Sequence, residues 1–566
     1  MLSLLVVTLY GMGICLTYGW AAEWTLLRIS GRDASSDYPL SLSVLLGMAL
    51  LSGLLAIWSF YWGISTRALV FFTAVAVALA VAMRRFVLRR LLALQQARLR
   101  SHLVPLAICG AFSIYALYIA AAGSPTYDVG LYHAQSIRWI EYYPVVPGLA
   151  NLHSRLGFNS ALFLLAAYWG FVALGQHLYQ VPGLIIMICT ACYCLHLVIA
   201  PATPFRFATF VAAGFLLYVL LRPAFLIWIA SPATDVPSAD VMWVVFLMVA
   251  RRIELGWLPD AGWEVITILV LSLFAASIKL SAAPVLLLSL FALWRTRSSL
   301  TAGRWAAAGV LAALVVLPWL ARNITLTGYL LYPFDRLAIS SLPWTVPAVN
   351  VEQLSLLITA YARNPGQLVG VTAAQAISQW LPAWFRSLDL ADRLLVDGAC
   401  LLPLWLVISA IARKEVAGLI RLYVPMYVAN ALGITFWFVQ APTPRFGYGV
   451  LVPAFLLGPV ALLGSLAGWR RLTDRWLQTG SQALVAAALL VNIVQVSPRS
   501  WAHYARLIRP YPVAETRTVE LDGHAIQMPL AGDQCWYRAF PCTPELQPGL
   551  AFRGDRIEDG FYIRGQ

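Results

Sequence analysis

The chain has 566 residues, 61% of them hydrophobic and 11% charged, with a mean hydropathy of +0.76. No soluble domain of this length hides so much apolar surface, and a run of about 20 apolar residues spans a bilayer, so the composition points to a polytopic helical membrane protein. The net charge of +14 sits in short arginine-rich loops rather than in a long basic stripe with interleaved aromatics, which argues for helix anchoring and against nucleic acid.

In chain order, the first apolar run (1–22) lacks a basic leader region and a small-residue cleavage site, and reads as a retained helix. Runs at 41–62 and 66–83 follow, then the basic segment 84–102 and a helix over 104–122. Arginine-rich loops at 84–102, 250–254, 295–304, 413–415 and 470–475 belong on the cytoplasmic side by the positive-inside rule. That puts the loop 123–156, the segment 231–240, the block after Arg322, the segment 441–449 and the tail after about residue 498 on the opposite face. The alternation holds only if 157–175 does not cross, so this segment is expected to be re-entrant or to lie against the membrane face. The expected architecture is all-α, with about 14 spanning helices, juxtamembrane helices and a small extracytoplasmic tail. Its parts are N-terminal helices with the basic loop (1–103), a core (104–320), a juxtamembrane region (321–396), later helices (397–497) and the tail (498–566).

The polar residues concentrate on one face. In the acidic loop, Asp128 follows a helix end, and a helical reading places Tyr132 and Gln135 on its side, with Arg138 and Glu141 nearby. A carboxylate beside aromatics and a low-dielectric layer suits a general base or a cation site; the plain alternative is capping and surface ion pairs. His133 shares this segment, and His153 and Arg155 face headgroups or a phosphate. Asp235 and Asp240, in "SPATDVPSAD", offer either a second carboxylate or a helix cap. Lys279 lies in an apolar run at a helix break, where an ammonium needs an anion or a route to the interface. Arg322 and Arg445 stand at helix mouths on the face that the positive-inside bias keeps poor in arginine, and a forked guanidinium suits phosphate. Tyr329 and Tyr332 follow Arg322. No P-loop or glycine-rich nucleotide cradle occurs in a strand-to-helix context. Six cysteines lie in or beside apolar runs; Cys535 and Cys542, in "GDQCWYRAFPCTP", suit a disulfide in an oxidising compartment or two ligands of a metal site that lacks the others.

An acidic loop after an early core helix, a second acidic loop, an embedded lysine and arginines at later helix mouths together resemble the GT-C superfamily of integral-membrane glycosyltransferases. The loop "YDVGLYHAQSIRWIEYYPVVPGLANLHSRLGFNS" and the cysteine tail also look like a bacterial membrane-protein family associated with it. The resemblance covers roughly 104–566 and leaves the first three helices as an addition. It implies transfer of a sugar from a polyprenyl-phosphate carrier to a glycan, lipid or protein acceptor, on the periplasmic face of a bacterial inner membrane among membrane lipids. It implies Asp128 as general base, with Asp235 as a second acid. Lys279, Arg322 and Arg445 would bind the donor phosphate, and Tyr132, His133, Arg138, Glu141, His153 and Tyr332 would contact substrate. Val129 stands where the frequent form has a second carboxylate, which leaves a divalent cation open. The other readings are a transporter or flippase, or a glycan ligase or polymerase, acting on lipid-linked saccharides, and a non-catalytic assembly subunit.

Overall fold

Helix follows helix from Leu2 to Gln495 in the computed structural model of the protein, which describes all residues except 30–37, 102, 123–125, 172–176, 200–206, 258–261, 365–374, 405–406, 408–413, 466–473, 496–510, 538 and 566. Two of the arginine-rich loops, 413–415 and 470–475, fall at least partly outside the described residues, as do the head of the acidic loop and the first part of the tail. The helices α1 (Leu2–Ile29), α2 (Leu40–Trp58), α3 (Thr66–Ala82), α4 (Arg84–Ser101) and α5 (Leu103–Ala122) lead to the acidic loop. That loop holds a π-helical turn (Val129–His133), α6 (Ala134–Tyr142) and α7 (Leu149–Leu152). Next come α8 (Ala161–Trp169), α9 (Val181–Ile199), α10 (Phe207–Leu221), α11 (Pro223–Leu226), α12 (Asp235–Leu255), α13 (Gly262–Ile278), α14 (Leu286–Thr296) and α15 (Ala302–Thr327). After α16 (Ala348–Arg363), α17 (Ile377–Ser387) and α18 (Leu390–Cys400) come the helices Lys414–Gln440, Pro444–Ser465 and Asp474–Gln495.

Among the described residues, four helices are long and apolar enough to cross a membrane: Leu2–Ile29, Leu40–Trp58, Val181–Val198 and Ala302–Thr327. The pair Thr66–Ala82 and Arg84–Ala93, bent by 78°, raises the number to five if it is one span. The expected 14 is not supported. Several apolar runs form helices of only 10–17 residues, such as Phe207–Leu221 and Gly262–Ile278, which at 1.5 Å per residue fall short of a core about 30 Å thick.

Small residues let the helices meet. A Cβ on Gly47 of α2 would lie 1.7 Å from the Cys15 carbonyl oxygen of α1, and one on Gly19 would lie 1.8 Å from that of Ser43. Backbone-to-backbone contact of this kind gives close packing between apolar helices that the hydrophobic effect alone cannot drive in lipid. α2 is therefore central rather than peripheral, packed against α1, α8, α9 and α15. The segment expected not to cross contains α8, whose nine residues reach about 13 Å. All nine are buried, α2, α6 and α9 pack against the helix, and the Ser160 hydroxyl caps its first turn by accepting from Leu162 N at 3.2 Å. At the edge of the bundle, Arg222 reaches Asp389 at 2.8 Å and Asp392 at 2.7 Å, tying the end of α10 to α18.

The chain is mostly helical, as expected, and the few strands among the described residues lie in the tail. β1 (Thr516–Leu521) and β2 (His524–Pro529) form an antiparallel hairpin around Asp522 (φ 46°) and Gly523 (φ 81°), the Asp-Gly pair that a two-residue turn favours. β3 (Leu550–Phe552) pairs with β4 (Phe561–Ile563). Ile526, Leu550, Phe552 and Phe561 share one buried cluster with Trp139, Leu149 and Leu152 of the acidic loop and Leu326 of α15. The tail is thus seated on the loop that carries Asp128.

Candidate functional site

Four elements end at one place. α12 begins at Asp235, α13 ends at Ile278 just before Lys279, the helix Pro444–Ser465 has Arg445 in its first turn, and Asp128 immediately precedes the π-helical turn. Local rules account for three of these positions. A carboxylate in the first turn of α12 and an ammonium just beyond the end of α13 complement the helix dipoles, and Pro444 opens a helix because its missing N–H is not needed there. Arg445 runs against its own helix dipole and so depends on the acids around it.

Those acids are present. Arg445 Nη2 donates to Asp128 Oδ2 at 3.4 Å, and its Nε lies 3.7 Å from Asp235 Oδ2. Lys279 Nζ pairs with Asp235 Oδ1. Asp235 is the buried hub, with 6% of its side chain exposed, whereas Asp128, Lys279 and Arg445 keep 23%, 24% and 19%. Aromatic rings wall the cations: Lys279 Nζ stands 3.6 Å from the Phe446 ring centre, and the Arg445 guanidinium is 4.9 Å from that of Trp228. Phe446 and Trp228 were not singled out from the sequence; the adjacency of Phe446 to Arg445 in "PRFGYG" was the available signal. His133 is buried beside this group against Phe163, with ring centres 5.1 Å apart. Burial, helped by Lys279 and Arg445 and opposed by Asp128 and Asp235, lowers its pKa to about 4, so it is neutral at pH 7. Tyr132 packs between His133 and Phe158, at 4.3 and 5.5 Å.

A family model for a domain of unknown function, DUF8201, matches residues 1–452. The chain belongs to the DUF8201 family. Comparison with curated proteins and with solved structures finds no match. The DUF8201 match begins at residue 1 and so includes the first three helices, in keeping with the central place of α2. It contains Asp128, Asp235, Lys279 and Arg445, while the cysteine tail lies beyond it.

Other residues expected at the site are placed elsewhere. Arg138 donates to the Tyr537 carbonyl and stacks over Phe540, 4.4 Å from its centre. Glu141 accepts from Tyr179 Oη at 2.9 Å and from Tyr537 Oη at 3.4 Å, and burial raises its pKa to about 8. Gln135 Nε2 donates to the carbonyls of Trp536 and Ala539, both at 2.6 Å. These side chains dock the tail rather than face the acid–base group, because the π-helical turn shifts the helical register assumed from Asp128. The docked tail segment carries the Cys535–Cys542 disulfide (S–S 2.05 Å), and Trp536 N donates to Gly130 O at 2.9 Å. Tyr127 meets Asp533, and its carbonyl accepts from Gln534 Nε2 at 2.8 Å. His153 is held neutral by burial, its pKa lowered to about 3, and Tyr332 Oη donates to the Ser154 carbonyl at 3.1 Å; both brace the loop. Arg322 bonds Asn159 and Ser59 and does not join the other cations.

Among the described residues no group of three or more His, Cys, Asp or Glu could hold a metal ion. Asp128 and Asp235 each pair with a cationic side chain.

Proposed function

We propose that this protein is a GT-C-like glycosyltransferase that moves a sugar from a polyprenyl-phosphate carrier to an acceptor hydroxyl at the end of the bundle where Asp128, Asp235, Lys279 and Arg445 meet. The observation that carries the reading is that two partly exposed cations share a buried acid, Asp235, and one of them also meets a partly exposed carboxylate, Asp128. In the reaction, the acceptor oxygen bonds to the anomeric carbon as the bond from that carbon to the phosphate oxygen breaks. Asp128 takes the hydroxyl proton, and Arg445 and Lys279 hold the charge left on the lipid phosphate. Asp235 does not transfer a proton in this scheme: pinned between both cations, it aims them. The acceptor is a glycan, a lipid or a protein.

Two observations support the placement that we propose. The Cys535–Cys542 disulfide suits an oxidising compartment and the arginine-rich loops favour the cytoplasm, which supports a site that faces the periplasm from a bacterial inner membrane. The test is transfer of label from radiolabelled polyprenyl-phosphate sugars in liposomes holding wild type, Asp128→Asn or Arg445→Ala. Product from wild type alone supports the reading; no product from any donor removes it.

A second reading, a carrier of lipid-linked saccharide, draws on Asp240, which is fully buried in α12 with neither carboxyl oxygen hydrogen-bonded. It requires Asp128→Asn to leave movement of the lipid across the bilayer intact.

A further inference from the structure

Arg322 is 3% exposed, and among the described residues no carboxylate pairs with it. Its Nε donates to Asn159 Oδ1 at 3.1 Å and its Nη1 to Ser59 Oγ at 2.5 Å, both neutral acceptors. Those acceptors are committed elsewhere as well: Ser59 Oγ donates to the Ala56 carbonyl at 2.7 Å, and Asn159 exchanges hydrogen bonds with Trp319 at 2.7 and 2.8 Å. A guanidinium does not shed its proton in a protein, and a buried charge without a counter-charge is among the costliest arrangements a fold can keep. Three other buried arginines have acids: Arg90 has Glu23, Arg222 has Asp389 and Asp392, and Arg252 has Glu264.

Arg322 lines a cavity of about 20 Å³ between the acidic loop, α8 and α15. Two residues of the same lining carry a buried donor that has no partner among the described residues: the Ser136 hydroxyl, on a residue 5% exposed, and the Trp139 indole N–H, on one 2% exposed. The rest of the wall is largely apolar, Phe158 and Phe163 included. A cavity of this size takes one water or one monatomic ion, and is far too small for a phosphate or a sugar. A water molecule satisfies donors but leaves the charge of Arg322 uncompensated.

We infer that this cavity is a binding site for a single monatomic anion of chloride size, with Arg322 as its counter-charge and the Ser136 hydroxyl and Trp139 N–H as its remaining donors. The walls give the site a consequence. Phe158 and Phe163 also pack on Tyr132 and His133, so the anion stiffens the support of the segment that begins at Asp128. The inference does not depend on the transferase reading, because it concerns a charge balance inside the loop.

The test uses the full-length protein in detergent. Crystals soaked in bromide are expected to show an anomalous peak at hydrogen-bonding distance from the Arg322 guanidinium. In solution, the unfolding temperature is expected to rise saturably when chloride or bromide replaces gluconate at constant ionic strength. Ser136→Ala is expected to raise the halide concentration needed by roughly tenfold, the loss of one hydrogen bond to a charged group. Arg322→Met should abolish the halide dependence. A cavity without an anomalous peak, or an unfolding temperature indifferent to halide, overturns the inference. So does inorganic phosphate that stabilises as well as chloride does. The bromide experiment on wild type decides the matter even if the arginine variant fails to fold.

Discussion

Arg445 donates to Asp128 at 3.4 Å across 317 residues of sequence, and this one contact joins the acidic loop to a late helix. It is long for a charge-assisted bond, and both side chains are partly exposed, so an incoming phosphate can displace it at small cost. Arg445 would not be lost by that exchange, because Asp235 holds it from the buried side at 3.7 Å. The arrangement suits a group that releases a base when the donor arrives.

Asp128→Asn should therefore lower kcat for sugar transfer by about 10²- to 10⁴-fold, the usual worth of a general base, while the donor KM changes little. Arg445→Ala should act mainly on donor binding, and Arg445→Lys should restore only part of it, because an ammonium cannot engage both carboxylates in a fork. Steady-state kinetics in liposomes separate the two effects. Equal effects on kcat and KM in both variants would count against these roles.

Asp235 is expected to matter for stability as much as for activity. Asp235→Asn leaves Lys279 and Arg445 without their shared buried acid and should cost roughly 3 kcal/mol, the lower end for breaking a buried pair. Lys279→Met added to Asp235→Asn should recover part of that loss, since the orphaned ammonium is then gone. Thermal unfolding of the single and double variants measures the coupling, and strictly additive losses would show that the pair does not interact.

The helical character was legible in composition, and so was the set of charges at the site, because a charge in an apolar chain stands out. The number of crossings was not, since a hydropathy run does not show how long its helix is, and Phe207–Leu221 and Gly262–Ile278 are apolar helices too short to cross. Nor was the division of labour within the acidic loop. A π-helical turn shifts the register by a residue, which sends Gln135, Arg138 and Glu141 to the tail instead of the site. The tail hairpin carried its own signal in Asp522-Gly523 between two alternating runs, a pattern outweighed by the helical content around it. Arg322 looked like a phosphate ligand because a helix mouth is normally open; only the fold shows that the acidic loop closes over it.

Docking of the tail rests on close approach at Gly130. A Cβ there would lie 2.7 Å from the Trp536 ring and 2.9 Å from Gln534, so Gly130→Ala should displace the tail segment at a cost of about 1–3 kcal/mol. Replacing Cys535 and Cys542 by serine should loosen the same segment by about 2–3 kcal/mol through the freed loop. Hydrogen exchange over 533–540 should rise in both variants. Unchanged protection there would mean that the tail is held by its β-hairpins alone.

Glu141 makes the docking sensitive to pH. Its pKa rises from the ordinary 4.5 to about 8, chiefly by burial, against the hydrogen bonds from Tyr179 and Tyr537 and the nearby Arg138. An acid with a raised pKa keeps its proton in the folded chain after the unfolded chain has lost it. Stability therefore falls as pH rises from about 4.5 to about 8, and levels off above. His133 and His153 act with the opposite sign, because the folded chain keeps them neutral where the unfolded chain protonates them, but their contribution ends near the ordinary histidine value of 6.5. Tyr127, raised to about 12 by its bond to Asp533, is silent until far higher pH. The interval from 6.5 to about 8 thus isolates Glu141 among these groups. The unfolding temperature of wild type should drop across it, and that of Glu141→Gln, which keeps the acceptor and cannot ionise, should not. Parallel declines in the two proteins would assign the effect to another group and leave Glu141 as a plain anchor for Tyr179 and Tyr537.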